Sequence, residues 1–209
     1  MRKTITIIVA VTLALSGLSA CRDEPEPGAG TAPPDASAGR ATPTQPSGDP
    51  SPEVAATGCV LVASFLGGDP AGQEDEYPCA LAGEDLNPGE LAEALSGLTG
   101  LEFAIAYQNG DSAESFMIGW LGESSLITGQ PPEPQDEEFR FFDADSLRWF
   151  MLDSLRATLM ANFGDGIEVY YLSAEAGPLV LDGLVPVSEF PDDMAYQGSP
   201  FYFTHSGNR

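Results

Sequence analysis

Residues 101–121 read LEFAIAY, QNGDSAE and SFMIGWL. The first run alternates about Glu102, the last is a matching apolar strand, and Asn109-Gly110 lies between them. Asn-Gly tolerates the positive φ of a tight hairpin turn, so this stretch predicts two antiparallel strands. Upstream, Asn87-Pro88-Gly89-Glu90 supplies a helix start: a cap residue, proline at the first position and an acid in the first turn. Leu91, Ala94, Leu95 and Leu98 form its apolar face, and Gly97 or Gly100 ends it. Cys59–Leu66 is an apolar run of strand length. Downstream, Ser125–Thr128 reads as a short third strand, residues 129–138 (GQPPEPQDEE) as an exposed acidic proline loop, and Phe139–Phe142 as a strand end.

A long helix is predicted from about Asp145 to Asn162, capped by Asp143 or Asp145 and terminated by Gly164 and Gly166. Leu147, Phe150, Met151, Leu155, Leu159 and Met160 recur at helical spacing. Asp145 with Arg148, and Asp153 with Arg156, stand on the other side as i,i+3 pairs. Ile167–Ser173 is a strand. Leu179–Leu181 and Leu184–Val187 flank Asp182-Gly183, a second hairpin signal, and Phe201-Tyr202-Phe203 reads as a terminal strand or a plug on the sheet. Strands in hairpins with helices between them give an α+β fold, with a mostly antiparallel sheet of about five to seven strands and two main helices.

The amino terminus has a different character. Met1-Arg2-Lys3 is a positive start, Thr4 to Leu15 is almost uninterruptedly apolar, and Leu18-Ser19-Ala20-Cys21 closes the segment. That is the layout of a secretory signal peptide. A cysteine directly after Leu18-Ser19-Ala20 resembles the lipobox of bacterial lipoproteins. The resemblance covers residues 1–21. It implies cleavage between Ala20 and Cys21, a lipid on the Cys21 sulfur and an acylated new amino terminus. Two acyl signals already hold a protein stably on a bilayer. Arg22 follows the cysteine and Asp23 comes one place later. By the same resemblance this favours the outer membrane facing the periplasm over inner-membrane retention, with a Gram-positive surface as the alternative.

Residues 22–57 are rich in Pro, Gly, Ala, Ser, Thr and Asp, with Val54 the single bulky aliphatic residue. Such a stretch buries too little apolar surface to offset its ordering entropy, so it is expected to be a disordered, proline-stiffened tether. The expected organisation is thus a signal peptide at 1–20, a lipidated cysteine and tether at 21–57, and one acidic α+β domain at 58–209.

The full chain holds 32 acidic and 8 basic residues. From Gly58 onward, 26 acids face only Arg140, Arg148, Arg156 and Arg209, a formal charge of −22. No lysine remains after the signal segment. Such a surface disfavours nucleic acid, whose phosphates need Lys and Arg, and anionic head groups. It suits a basic protein partner or cations, and equally a general adaptation to high salt.

With Cys21 lipidated, Cys59 and Cys79 are an even pair in an exported chain, where a disulfide is the default. Catalytic signatures are missing. His205 is the single histidine, four residues from the terminus, and there is no G-x-S-x-G, P-loop or G-x-G-x-x-G. No catalytic residue, metal site or cofactor is therefore assigned. Asp143-Ala144-Asp145 and Glu74-Asp75-Glu76 are oxygen-rich but lack the spacing of a calcium loop. The acids singled out for binding are Glu137, Glu138, Asp143 and Asp145. The leading expectation is a lipid-anchored, non-enzymatic envelope protein that binds a partner. The alternatives are a carboxylate-dependent hydrolase of cell-wall or polysaccharide substrate, and an inhibitor of a basic secreted enzyme such as a lysozyme, with residues 131–138 entering its cleft.

Overall fold

Two strands, β1 (Ala56–Ser64) and β2 (Glu74–Ala82), pair antiparallel over their whole length, with Ala56 opposite Ala82 and Ser64 opposite Glu74. The computed structural model describes residues 56–67, 72–82, 85–110 and 114–206. The signal segment, Cys21 and the tether up to residue 55 lie outside the described residues, as do Asp111 and Ser112 of the predicted turn. Cys59 and Cys79 are directly opposite in this register, their Cα atoms 4.8 Å apart and their sulfurs at disulfide distance. β2 contains the acidic run Glu74-Asp75-Glu76, to which the sequence reading assigns no element. It alternates strictly, with Asp75, Tyr77, Cys79 and Leu81 half-buried and the intervening residues exposed.

The predicted start of α1 (Pro88–Thr99) is present: the Asn87 side chain accepts from the Glu90 amide, and Gly100 closes the helix at φ 71°. The decisive hairpin follows, β3 (Ile105–Asn109) against β4 (Ser115–Trp120). Gly110 donates to the Ser115 carbonyl at 2.8 Å. A Cβ on Gly110 would lie 2.1 Å from Ser115 Oγ, so the close approach of Ser115, rather than the positive φ expected of an Asn-Gly turn, favours glycine there.

Ser125–Thr128 is a helical turn, α2, rather than a third strand. The Ser124 hydroxyl accepts from the Leu126 amide and donates to the Glu102 carbonyl at 3.0 Å. The Ser125 amide donates to the same carbonyl. These bonds override the β propensity of Ile127 and Thr128. Phe139–Phe142 is loop rather than strand.

The long helix α3 spans Ala144–Phe163 and is capped by Asp143, which accepts from the Ser146 amide at 2.8 Å. It carries the chain from β4 to β5 (Glu168–Ser173), and these two strands are parallel. Parallel neighbours need such a crossover. β6 (Leu179–Val180) pairs antiparallel with β7 (Glu189–Phe190), and α4 (Ser199–His205) ends the described chain. The aromatic cluster of the tail is thus helical, with Tyr202 as its buried plug. The fold is α+β, its strands in three small sheets ordered β1-β2, β3-β4-β5 and β6-β7.

α3 is buried on nearly all sides over its middle, since every residue from Trp149 to Leu155 is buried. Asp153, expected on a solvated side, is among them at 4 % exposure. Its helix neighbours Arg148 and Arg156 use their guanidinium groups on carbonyls. Arg148 donates to Leu126 O at 3.1 Å and Asp182 O at 2.9 Å, and Arg156 donates to Tyr196 O at 3.2 Å. The helix also substitutes for a strand. The amides of Ser64, Val62 and Val60 donate to Ser154 Oγ (2.9 Å), Thr158 Oγ1 (2.9 Å) and Asn162 Oδ1 (3.0 Å). Four helical residues rise ~6 Å and two strand residues ~6.7 Å, so polar residues four apart on the helix meet every second amide of β1. The edge of β1 away from β2 is thereby satisfied without another strand.

Candidate functional site

The loop between α2 and α3, residues 129–143, runs as a strap over the β1–β2 sheet. It begins at Gly129, where φ is 65° and an added Cβ would press on Ala144 Cβ at 3.2 Å and on the Arg148 side chain. Its central anchor is Phe139, 2 % exposed, whose ring lies 6.2 Å from Phe65, 6.2 Å from Tyr77 and 6.0 Å from Phe150. Phe141 packs on Phe150 at 4.8 Å, and its amide donates to Gln135 Oε1 at 2.7 Å, closing the strap on itself. The Glu138 amide donates to Asp136 Oδ1 at 2.8 Å. A compact surface loop packed by its own side chains is a frequent carrier of function.

The four acids singled out in the sequence divide by role. Glu138 accepts the Tyr77 hydroxyl proton in a hydrogen bond, and that bond, reinforced by burial, pushes the Tyr77 phenol up to about 12. Asp143 is committed to the helix. Its Oδ1 takes the Ser146 amide and its Oδ2 the Ser146 hydroxyl at 2.9 Å, and these bonds, the backbone one first, hold its carboxyl below the ordinary carboxylate value. Asp145 lies in the first turn of α3, where an acid favours the helix dipole. Glu137 is exposed on the strap. Glu137 and Glu138 therefore share one loop, and Asp143 and Asp145 share the helix start that follows it.

Beside the strap is a notch of about 250 Å³, lined by Ser64, Phe65, Leu66, Gly67, Phe141, Ser146 and Phe150. Its polar fringe is acidic: the Ser64 hydroxyl donates to Glu74 at 3.0 Å, and Ser146 carries Asp143. Phe142, next to the lining residue Phe141, is 89 % exposed, the most exposed large apolar side chain among the described residues. Tyr77, Phe65, Leu66 and Phe142 were missed as site residues. The signal that points to them is the run Phe139-Arg140-Phe141-Phe142, more aromatic side chains than one loop can bury.

A second opening of about 360 Å³ is lined by Leu81, Ala82, Glu90, Glu93 and Ala94. His205 places Nδ1 2.8 Å from the Phe201 carbonyl and stacks on the Phe201 ring at 4.3 Å, which makes it part of the end of α4. Asp153 forms a buried knot. It accepts from Tyr196 Oη at 2.7 Å, from the Ser199 amide at 2.9 Å and from the Ser199 hydroxyl. Burial raises its carboxyl above the ordinary value despite these bonds and the nearby Arg156 charge. The knot ties the terminal segment to α3.

Among the described residues no group of three or more His, Cys, Asp or Glu side chains is placed to hold a metal ion. No described helix is long and apolar enough to cross a membrane. No protein-family model, curated protein or solved structure matches the chain.

Proposed function

We propose that this protein is a lipid-anchored binding module of the bacterial cell envelope, tethered through Cys21, whose strap over residues 129–143 captures a basic protein partner. One observation carries the reading. The strap holds five acids against one arginine, Arg140, and it presents Phe142 at 89 % exposure from a loop fixed by buried contacts. An exposed aromatic on a preorganised loop favours binding because little ordering entropy remains to be lost on contact. The strap belongs to the same acidic loop that the inhibitor reading sends into a cationic cleft. The lipobox-like Leu18-Ser19-Ala20-Cys21 and the proline-rich tether support placement at the envelope, with the outer membrane facing the periplasm as the favoured side.

Two measurements test this. The Cys21→Ala variant should leave the membrane fraction, and unchanged fractionation would refute the anchor. A cationic lysozyme used as a probe should bind the wild-type domain with an affinity that drops steeply between 50 and 500 mM salt, because screening shortens the Debye length severalfold. Binding indifferent to salt, or equal binding by a Glu133→Gln/Asp136→Asn/Glu137→Gln variant, would remove the acidic strap from the reading.

A further inference from the structure

We infer that the partner segment at this site is amphipathic: a cationic stretch that seats one aromatic side chain in the notch between Phe65, Leu66, Phe141 and Phe150. The inference rests on the strap being the binding element and adds the chemistry of its occupant.

Three observations point the same way. The notch measures about 250 Å³, under the roughly 300–1,000 Å³ typical of sites for whole small-molecule ligands. It is of a size for a single large side chain. Its walls are aromatic and aliphatic, with Phe141 and Phe150 tilted against each other at 4.8 Å and Phe65 a further 5.0 Å from Phe150. An incoming ring therefore meets ring faces and edges at ordinary aromatic spacing. Around this apolar floor acids predominate, with Arg140, next to the lining Phe141, the one opposing charge on the strap. Glu74 is bonded to the lining residue Ser64, Asp143 to the lining residue Ser146, and Glu138 to Tyr77 beside Phe139. Arginine or lysine residues flanking the anchor would meet Glu74 beside the lining Ser64 and Asp143 beside the lining Ser146. Phe142, consecutive with the lining Phe141 and the cap Asp143, is the exposed ring available to cover the seated side chain. A central aromatic anchor in a pocket with a charged rim is the usual arrangement of a binding hot spot.

The experiment uses fluorescently labelled peptides, one of arginines around a central tryptophan and one with alanine in its place, titrated against the lipid-free mature chain by anisotropy. The tryptophan peptide should bind at least tenfold more tightly than the alanine peptide. Phe142→Ser, a change at a side chain 89 % exposed that leaves the strap's buried anchors in place, should weaken the tryptophan peptide more than the alanine peptide and so shrink that difference. Equal affinity of the two peptides with steep salt dependence would overturn the aromatic seat while leaving the acidic strap standing. Retention of the tryptophan advantage by Phe142→Ser would overturn the covering role. Binding of neither peptide would overturn both this inference and the reading beneath it.

Discussion

Replacing Thr158 by valine tests whether α3 does the work of a strand. The two side chains have nearly the same shape, so the substitution removes one hydroxyl and adds one methyl at a site with no exposure. The hydroxyl accepts from the Val62 amide at 2.9 Å and points back to the Val62 carbonyl at 3.4 Å. Val62 is itself buried, at 5 % exposure, so its amide would lose its partner where water does not readily replace it. Leaving a buried donor unsatisfied costs about 1–3 kcal/mol, and the added methyl offsets at most about 0.8 kcal/mol. A net loss of about 1–2 kcal/mol corresponds to a fall in Tm of roughly 3–8 °C for a domain of this size. Urea unfolding followed by tryptophan fluorescence gives the stability, and amide exchange at Val62 gives the location. Thr158→Ser is the control, since it keeps the hydroxyl and should keep Val62 protected while losing only packing. A Thr158→Val protein as stable as the parent, with Val62 exchange unchanged, would refute the edge-capping role of the helix.

Asp153 and Asp143 should respond to pH with opposite signs. Burial raises the folded-state value for Asp153, so its stabilising contribution is complete below the ordinary carboxylate value of about 3.9 and is lost as pH rises through the folded value. Asp153→Asn should therefore flatten the decline of stability across that window, and parallel pH–stability curves for the two proteins would contradict it. The folded value for Asp143 is lowered, so its contribution is present above about 3.9 and fades as pH falls through the folded value. Asp143→Ala should cost about 1 kcal/mol at neutral pH, with the gap to the parent closing in acid; a cost that grows in acid would show the cap is not ionic. Reducing the Cys59–Cys79 pair, which closes a loop of 20 residues, should lower stability by about 3 kcal/mol in the chain-entropy model. An unshifted urea midpoint in dithiothreitol would count against a bridge.

Local chemistry made much of this fold readable. Asn109-Gly110, Asn87-Pro88 and the Asp143 cap are short-range signals, and each element they mark formed within a few residues of its expected bounds. Elements that depend on distant partners were not readable. The acids Glu74, Asp75 and Glu76 hid the alternation of β2, which exists because β1 lies beside it in register. Ser125–Thr128 has strand-like residues and becomes a helical turn through bonds to Glu102, 23 residues away from Ser125 in sequence. The polar series Ser154, Thr158 and Asn162 recurs at four-residue spacing, but only the position of β1 turns it into an edge cap. A helix between two strands is also compatible with a parallel crossover, but local sequence does not distinguish that from a helix between two hairpins; the register of β4 beside β5 does. Of the site, the acids were visible as composition. The notch was not, because Phe65 and Phe141 are separated by 76 positions and meet only through Phe150.

The strap separates what folds it from what it offers. Its conformation rests on Phe139, Phe141 and the Gln135 bond to the Phe141 amide, with Asp143 spent on the helix cap. Glu133, Glu137 and Phe142 are exposed and contribute little to that framework. Like charges crowded on one loop repel one another, so in the isolated protein these acids lower stability. A loop anchored by the packed rings of Phe139 and Phe141 can carry that repulsion, and a cationic partner would relieve it on binding. The proposed association gives the charge and the exposed ring one shared role, whereas the salt-adaptation reading accounts for dispersed acids but gives no role to the phenylalanine exposed beside an apolar notch.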